Sequence, residues 1–359
     1  MVESIELKEQ ANFRLLFLDF IRGIAALSVF FQHACEGLWP EFWSFSHNSF
    51  NLGKFGVVIF FLTSGFIIPF SLERGGSARK FWISRFFRLY PLYWTSLAFV
   101  VMLEIIGIPS VPPVFRSNLL RNFLVNITMF QDFVGVPPAI GVYATLTLEL
   151  VFYITCTILF LFKLHTKSYM WAWGVFGLTV FGSVLAPLGL EKRLPMAAMI
   201  YILSMFFGTV LYRYYSKVVT KRQLVQLLVA VVCVAIAGTY INYVLYKKEA
   251  EHFTFLAVMA PWTAGYAFFL GAFTFRNMIF PQVFSWLGKI SYSVYLMHPV
   301  ILGVTPNLSY RPLKLVVMLA CTLILASATY NLIEQPLIEL GRKLSKKIVV
   351  VKPKTNPSF

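Results

Sequence analysis

A chain of 359 residues with 58% hydrophobic and only 13% charged side chains holds about half the charge of a soluble domain. Several apolar runs reach the ~20 residues that a helix needs to cross a bilayer, so composition excludes a water-soluble globule. The net charge of +16 sits in short segments between apolar runs, the orientation signal of membrane proteins, which excludes a nucleic-acid footprint.

In chain order the sequence predicts an all-α polytopic membrane protein. About ten spans fall near residues 13–37, 54–72, 89–108, 143–163, 171–190, 195–212, 223–246, 254–275, 290–308 and 313–334. The polar N-terminus "MVESIELKEQANFR" has the wrong chemistry for a secretory signal, so the first run reads as a retained span. With the N-terminus inside, inner segments hold 21 Lys and Arg and outer segments nine, which places both termini in the cytoplasm. The run 119–131, "LLRNFLVNITMFQ", is too short to cross and reads as an interfacial or re-entrant element on the outer side. One transmembrane domain over 1–340 is expected, followed by a basic cytoplasmic tail over 341–359. Cys35, Cys156, Cys233 and Cys321 offer neither a disulfide framework nor metal-ligand spacing, and no metal is expected.

Ionisable groups at membrane depth are costly, and those present are functional candidates by default. The first span, "LDFIRGIAALSVFFQH" (18–33), holds Asp19, Arg22 and His33. Eleven residues of helix are three turns plus about 20°, so Arg22 and His33 share a face about 16 Å apart. Asp19, one turn below Arg22, can pair with it and lower the penalty of burying a guanidinium. The pattern suits a pocket or tunnel with a cation at its inner end and an imidazole nearer the outer side. A structural anchor pair and a satisfied interfacial histidine are the plainer readings.

In "SRFFRLYPLYW" (84–94), Arg85 and Arg88 at i,i+3 form a positive mouth suited to a phosphorylated molecule, or serve as ordinary inner-side anchors. Glu149, in "ATLTLELVFY" (144–153), has Thr145 and Tyr153 on its face. It is a candidate base, proton acceptor or partner that orients His33, or else a member of a structural network. In "ISYSVYLMHPV" (290–300), Ser291, Tyr295 and His298 form one polar stripe. Pro299 leaves the Tyr295 carbonyl without its helical donor. Glu334, in "NLIEQP", reads as a structural partner for an inner arginine.

These segments resemble, in order and over nearly the whole chain, the acyltransferase-3 family of integral membrane O-acyltransferases. "LDFIRGIAALSVFFQH", "GVVIFFLTSGFII", "RFFRLYPLYW", "LTLELVFY", "LGKISYSVYLMHP" and "LIEQP" carry the resemblance. The first is the most specific, an arginine, ten residues and a histidine. The resemblance implies a stand-alone enzyme of the bacterial inner membrane, without the esterase-like domain of some relatives. Such an enzyme takes an acyl group, usually acetyl from acetyl-CoA, out of cytoplasmic acyl-CoA. It passes that group to a hydroxyl of a glycan or lipid-linked glycan such as O-antigen or exopolysaccharide. Carried over by residue, His33 and Glu149 are the expected catalytic groups, and Arg22, Arg85 and Arg88 the expected acyl-CoA-binding ones. Asp19, Ser291, Tyr295 and His298 are expected in support. The family's "SLxxE" reads "TLTLE" here (145–149), a departure that bears on packing and not on Glu149.

His33 can act as general base or carry the acyl group covalently, and the sequence leaves both routes open. Succinyl or another acyl transfer to a periplasmic glucan is an alternative. A non-enzymatic glycolipid transporter is another, although no repeat between the halves supports it. The outer segment "EGLWPEFWSFSHNSFN" (36–51) offers Trp39, Trp43 and His47 either to a sugar or to the membrane interface.

Overall fold

The computed structural model describes residues 16–190, 192, 194–246, 252–306 and 308–347. The polar N-terminal segment and the end of the basic tail lie outside the described residues. Among the described residues the secondary structure is entirely helical, and nine helices are long and apolar enough to cross a membrane.

The helices are α1 (Leu16–Leu38), α2 (Pro40–Asn48), α3 (Leu52–Gly75), α4 (Ala78–Ile105), α5 (Leu119–Asn126), α6 (Tyr143–Leu161) and α7 (Ser168–Val180). They continue with α8 (Met196–Tyr215), α9 (Lys221–Tyr240), α10 (Phe255–Thr274), α11 (Gln282–Val304), α12 (Arg311–Thr329) and α13 (Gln335–Lys346). Wide π turns at Phe181–Leu185, Ile241–Leu245 and Tyr330–Glu334 continue α7, α9 and α12 without breaking them.

The expected spans map onto these helices with two informative differences. Residues 78–88, read from their charges as loop, belong to α4. Gly76 turns the chain in the left-handed region (φ +61°), Ser77 caps the new helix by accepting from the Lys80 amide at 3.5 Å, and Arg85 is buried within it. The expected span at 290–308 is the second half of α11, which starts at Gln282 and is not among the nine sufficiently apolar helices. Its polar residues face protein rather than lipid: Ser291, Ser293, Tyr295 and His298 are all buried. Charge and polarity hid both helix starts, because tertiary burial satisfied groups that hydropathy counts as exposed.

Two close crossings set the bundle. α1 packs against α11 and α3, and α3 packs against α8. At the second crossing, a Cβ on Gly65 would stand 2.0 Å from the Met205 carbonyl oxygen, and one on Gly208 would stand 2.4 Å from that of Leu62. Small residues let the backbones touch where lipid gives no hydrophobic drive between helices.

The short α5 stays outside the span count, as its length requires. A helix end at membrane depth needs partners for its last carbonyls. Three side chains of α4's "LYPLYW" supply them: Tyr90 donates to Thr128 O (3.1 Å), Tyr93 to Asn126 O (2.7 Å) and Trp94 to Ile127 O (3.0 Å). Asn126, itself buried, donates to Asn122 O and Pro137 O and accepts from the Ala139 amide. Replacing it with Ala strands a buried amide and two carbonyls. Asn126→Ala is expected to destabilise the protein by about 2 kcal/mol, read as a lower unfolding midpoint in mixed micelles. An unchanged midpoint would mean that solvent already serves those groups.

Candidate active site

One narrow cavity of about 100 Å³ lies between α1, α3, α4, α6 and α11, with room for several waters or a thin chain of atoms. Arg22, Arg85, Arg88, Glu149, Ser291 and Tyr295 all line it. The structure thus brings six of the nine sequence candidates to one place, from four different helices.

Each cation is held differently. Arg22 donates to Asp19 (2.7 Å) and to the Gly288 carbonyl (2.8 Å). That second bond exists because α1 and α11 touch: a Cβ on Gly288 would stand 2.2 Å from the Asp19 carbonyl oxygen. Arg85 is buried, donates to the Ser71 hydroxyl at 2.8 Å and lies over the Phe81 and Tyr153 rings. Arg88, half-buried at the same cavity, makes no hydrogen bond or ion pair with another described residue. A guanidinium that spends none of its five donors within the chain has them all for a ligand.

Glu149 accepts from the Ser64 hydroxyl (2.7 Å) and from Tyr153 (2.6 Å). Tyr153 is the expected neighbour; Ser64, of the "TSGF" segment, is one that sequence reasoning left unused. Thr145 turns away instead, sharing a 2.7 Å hydrogen bond with Tyr295 while donating to Val142 O. Glu334 is buried and accepts from Ser293 at 2.8 Å.

His33 and His298 stand apart from this cavity. Their rings stack at 5.5 Å with an interplanar angle of 12°. His298 is fully buried, its Nδ1 against Val294 O at 3.1 Å, and its Nε2 has no partner. The His33 side chain is 46% exposed. So α1 does not present Arg22 and His33 to a single open passage. Tyr295 stands on the cavity wall, its hydroxyl sharing a hydrogen bond with that of Thr145, and its ring lies 6.2 Å from that of His298. A file of three rings, Tyr295, His298 and His33, links the arginine cavity to the half-exposed imidazole. The carbonyl taken up near Pro299 is that of Leu296, which accepts from Ser96 at 2.9 Å.

The carboxylate beside His33 is Glu36, 3.8 Å from Nδ1, and not Glu149, whose Oε1 is occupied in the cavity. Glu36 also stands 3.6 Å from His47 and accepts from Ser46 at 2.7 Å. Its spacing from His33, one helical turn, was the available signal. Around it α2 forms an aromatic ladder in which Trp43 stacks on His47 (4.1 Å) and His47 on Phe253 (4.5 Å). Trp43 is exposed.

A family profile described as an acyltransferase domain (acyltransferase-3) matches residues 15–331. The chain is similar to Nodulation protein 10 of Rhizobium leguminosarum bv. viciae, 31% identical over 39% of this chain and 43% of that protein. It is also similar to the acyltransferase MdmB of Streptomyces mycarofaciens, 29% identical over 40% of this chain and 38% of that one. In both cases the match covers less than half of the relative's length. No solved structure matches the chain.

Proposed function

This chain belongs to the acyltransferase-3 family, and on that premise we propose that it moves an acetyl group from cytoplasmic acyl-CoA to a hydroxyl of a cell-surface glycan or lipid-linked glycan. Its setting in this reading is the bacterial inner membrane. What carries the reading is the convergence of three guanidinium groups on one slot-like cavity, with Arg88 unpaired there. Acyl-CoA is an anionic nucleotide on a long thin neutral arm. Its phosphates take charge-assisted hydrogen bonds from the arginines, and the arm fits a narrow passage that a bulkier ligand would not.

At the far end of the ring file, His33 takes the proton of the acceptor hydroxyl as that oxygen attacks the thioester carbonyl. The carbon–sulfur bond breaks, and the departing thiolate of CoA takes up that proton from the His33 imidazolium, which returns to the neutral imidazole. Glu36, beside Nδ1, stabilises the imidazolium formed in between. Glu149, bonded to Ser64 and Tyr153, belongs in this reading to the donor cavity, where it orders the wall facing Arg85. For the arm to reach His33, Tyr295 must leave Thr145, so transfer includes an opening step. MdmB bears the name acyltransferase, which supports the reaction class and not the acceptor.

The donor half of the proposal is tested without knowing the acceptor. Acetyl-CoA binding to the purified protein is measured at equilibrium for the wild type, Arg88→Met and Arg88→Lys. Loss of a charge-assisted contact of about 1.5–3 kcal/mol is expected to weaken binding in Arg88→Met by about tenfold or more, with Arg88→Lys between the two. Equal affinities in all three proteins would place the donor elsewhere.

A further inference from the structure

A second cavity, of about 30 Å³, lies on the other side of α3 and is used by none of the chemistry above. It is walled by α3, α8, α9 and α10 together with the wide turn at Ile241–Leu245. Three of its lining groups are buried polar atoms with no hydrogen-bond partner: the Lys54 ammonium, the Trp262 indole N–H and the Thr239 hydroxyl. Thr239 and Trp262 are almost wholly buried, at 0% and 4% exposure. A buried polar atom without a partner is uncommon, and three on one small cavity are not a chance scatter.

Their chemistry is one-sided. An ammonium and an indole N–H can only donate, and a hydroxyl can donate or accept. The cavity therefore presents mainly donors, which suits an anionic guest. Lys54 Nζ does sit 3.2 Å over the Phe253 ring, which eases its burial but satisfies none of its three hydrogens. The depth is also telling. Lys54 is in the first turn of α3, Met196 to Tyr201 lie in the first two turns of α8, Trp262 lies two turns into α10, and Thr239 is in the last turn of α9. All four helices meet the cavity near their ends, at the same end of the bundle as His33.

We propose that this cavity is a second binding site, separate from the arginine cavity, that holds a phosphate group on Lys54, Trp262 and Thr239. The wide turn after α9 fits the role: π turns recur at functional positions in helices, and this one carries Tyr243 on the cavity wall. The phosphate can be that of a free anion or of a lipid headgroup, and one experiment separates the two.

The full-length protein is held in micelles of dodecyl maltoside, which carries no phosphate, alone and with added phosphatidylglycerol. Its thermal midpoint is followed against inorganic phosphate at constant ionic strength, for wild type, Lys54→Met, Lys54→Arg and Trp262→Phe. Stabilisation of the wild type by phosphate, weakened about tenfold or more in Lys54→Met and kept in Lys54→Arg, identifies a site for the free anion. Stabilisation only by phosphatidylglycerol, lost in Lys54→Met, identifies the lipid phosphate. Trp262→Phe removes one donor and is expected to weaken either response by a smaller factor, which keeps the test open should Lys54→Met fold poorly. Without added anion, Lys54→Met is expected to melt no lower than wild type, because it removes an unpaired buried charge. A wild type indifferent to both phosphate and phosphatidylglycerol overturns the proposal, as does an equal response in Lys54→Met.

Discussion

Replacing His33 with Ala is expected to lower acyl transfer by about 10²–10⁴-fold, the usual contribution of a general base, while leaving acetyl-CoA binding at the wild-type value. The two readouts separate because His33 is not among the residues that line the arginine cavity. Its side chain is 46% exposed, so its loss opens no core void and the thermal midpoint should stay near that of the wild type. Release of CoA from acetyl-CoA, with and without added glycan, measures the first readout. Wild-type turnover in His33→Ala would remove the imidazole from the chemistry. Label from acetyl-CoA retained on His33 in quenched wild-type protein would replace the general-base route with the covalent one.

The second large effect concerns the fold. Gly65→Ala is expected to abolish accumulation of folded protein, or to destabilise it by at least about 3 kcal/mol, the upper range for overpacking. The added Cβ would stand 2.0 Å from Met205 O and 2.7 Å from the Met205 carbonyl carbon. Backbone atoms cannot rotate away as a side chain can. α3 and α8 would have to separate, breaking the hydrogen bond from the Thr209 hydroxyl to Gly65 O at 3.0 Å. Gly174→Ala in α7 is the matched control, since a Cβ there meets nothing within 4 Å, and it should be neutral or slightly stabilising. Monodisperse yield after detergent extraction and the melting midpoint report both. Equal behaviour of the two variants would show that the crossing is slack.

The contrast between those two glycines illustrates what was legible in the sequence. Nine of the ten expected spans fall on helices long and apolar enough to cross a membrane, because lipid imposes a length and an apolarity on each helix independently of the others. Hydropathy could not tell Gly65 from Gly174, since the difference lies in the helix packed opposite. The same limit applies at the site. Asp19 and Arg22 are one turn apart, and their pair was readable from spacing, as was Tyr153 beside Glu149. Ser64 on Glu149, Ser293 on Glu334 and Gly288 O on Arg22 join residues more than forty positions apart, and no periodicity announces them. Thr145 had the right spacing for Glu149, yet Tyr295 from α11 took its hydroxyl. Local geometry permits such a bond, but tertiary competition decides it. Lys54, the first residue of an expected span, carried no reading of its own in the sequence. That its ammonium lacks a partner in a cavity with two other unpaired polar groups needed coordinates.

The position of Tyr295, between the arginine cavity and His298, bears on the cell as well as on the proposed reaction. A passage open from the arginines to His33 would be a water-filled pore, and a pore across an energised membrane conducts protons. In the proposed reaction, the Thr145–Tyr295 bond and the packed rings of Tyr295, His298 and His33 would keep the two water compartments apart. On that proposal a group would cross only as a passenger on a chain that fills the space it opens, and the membrane would stay electrically tight through each turnover.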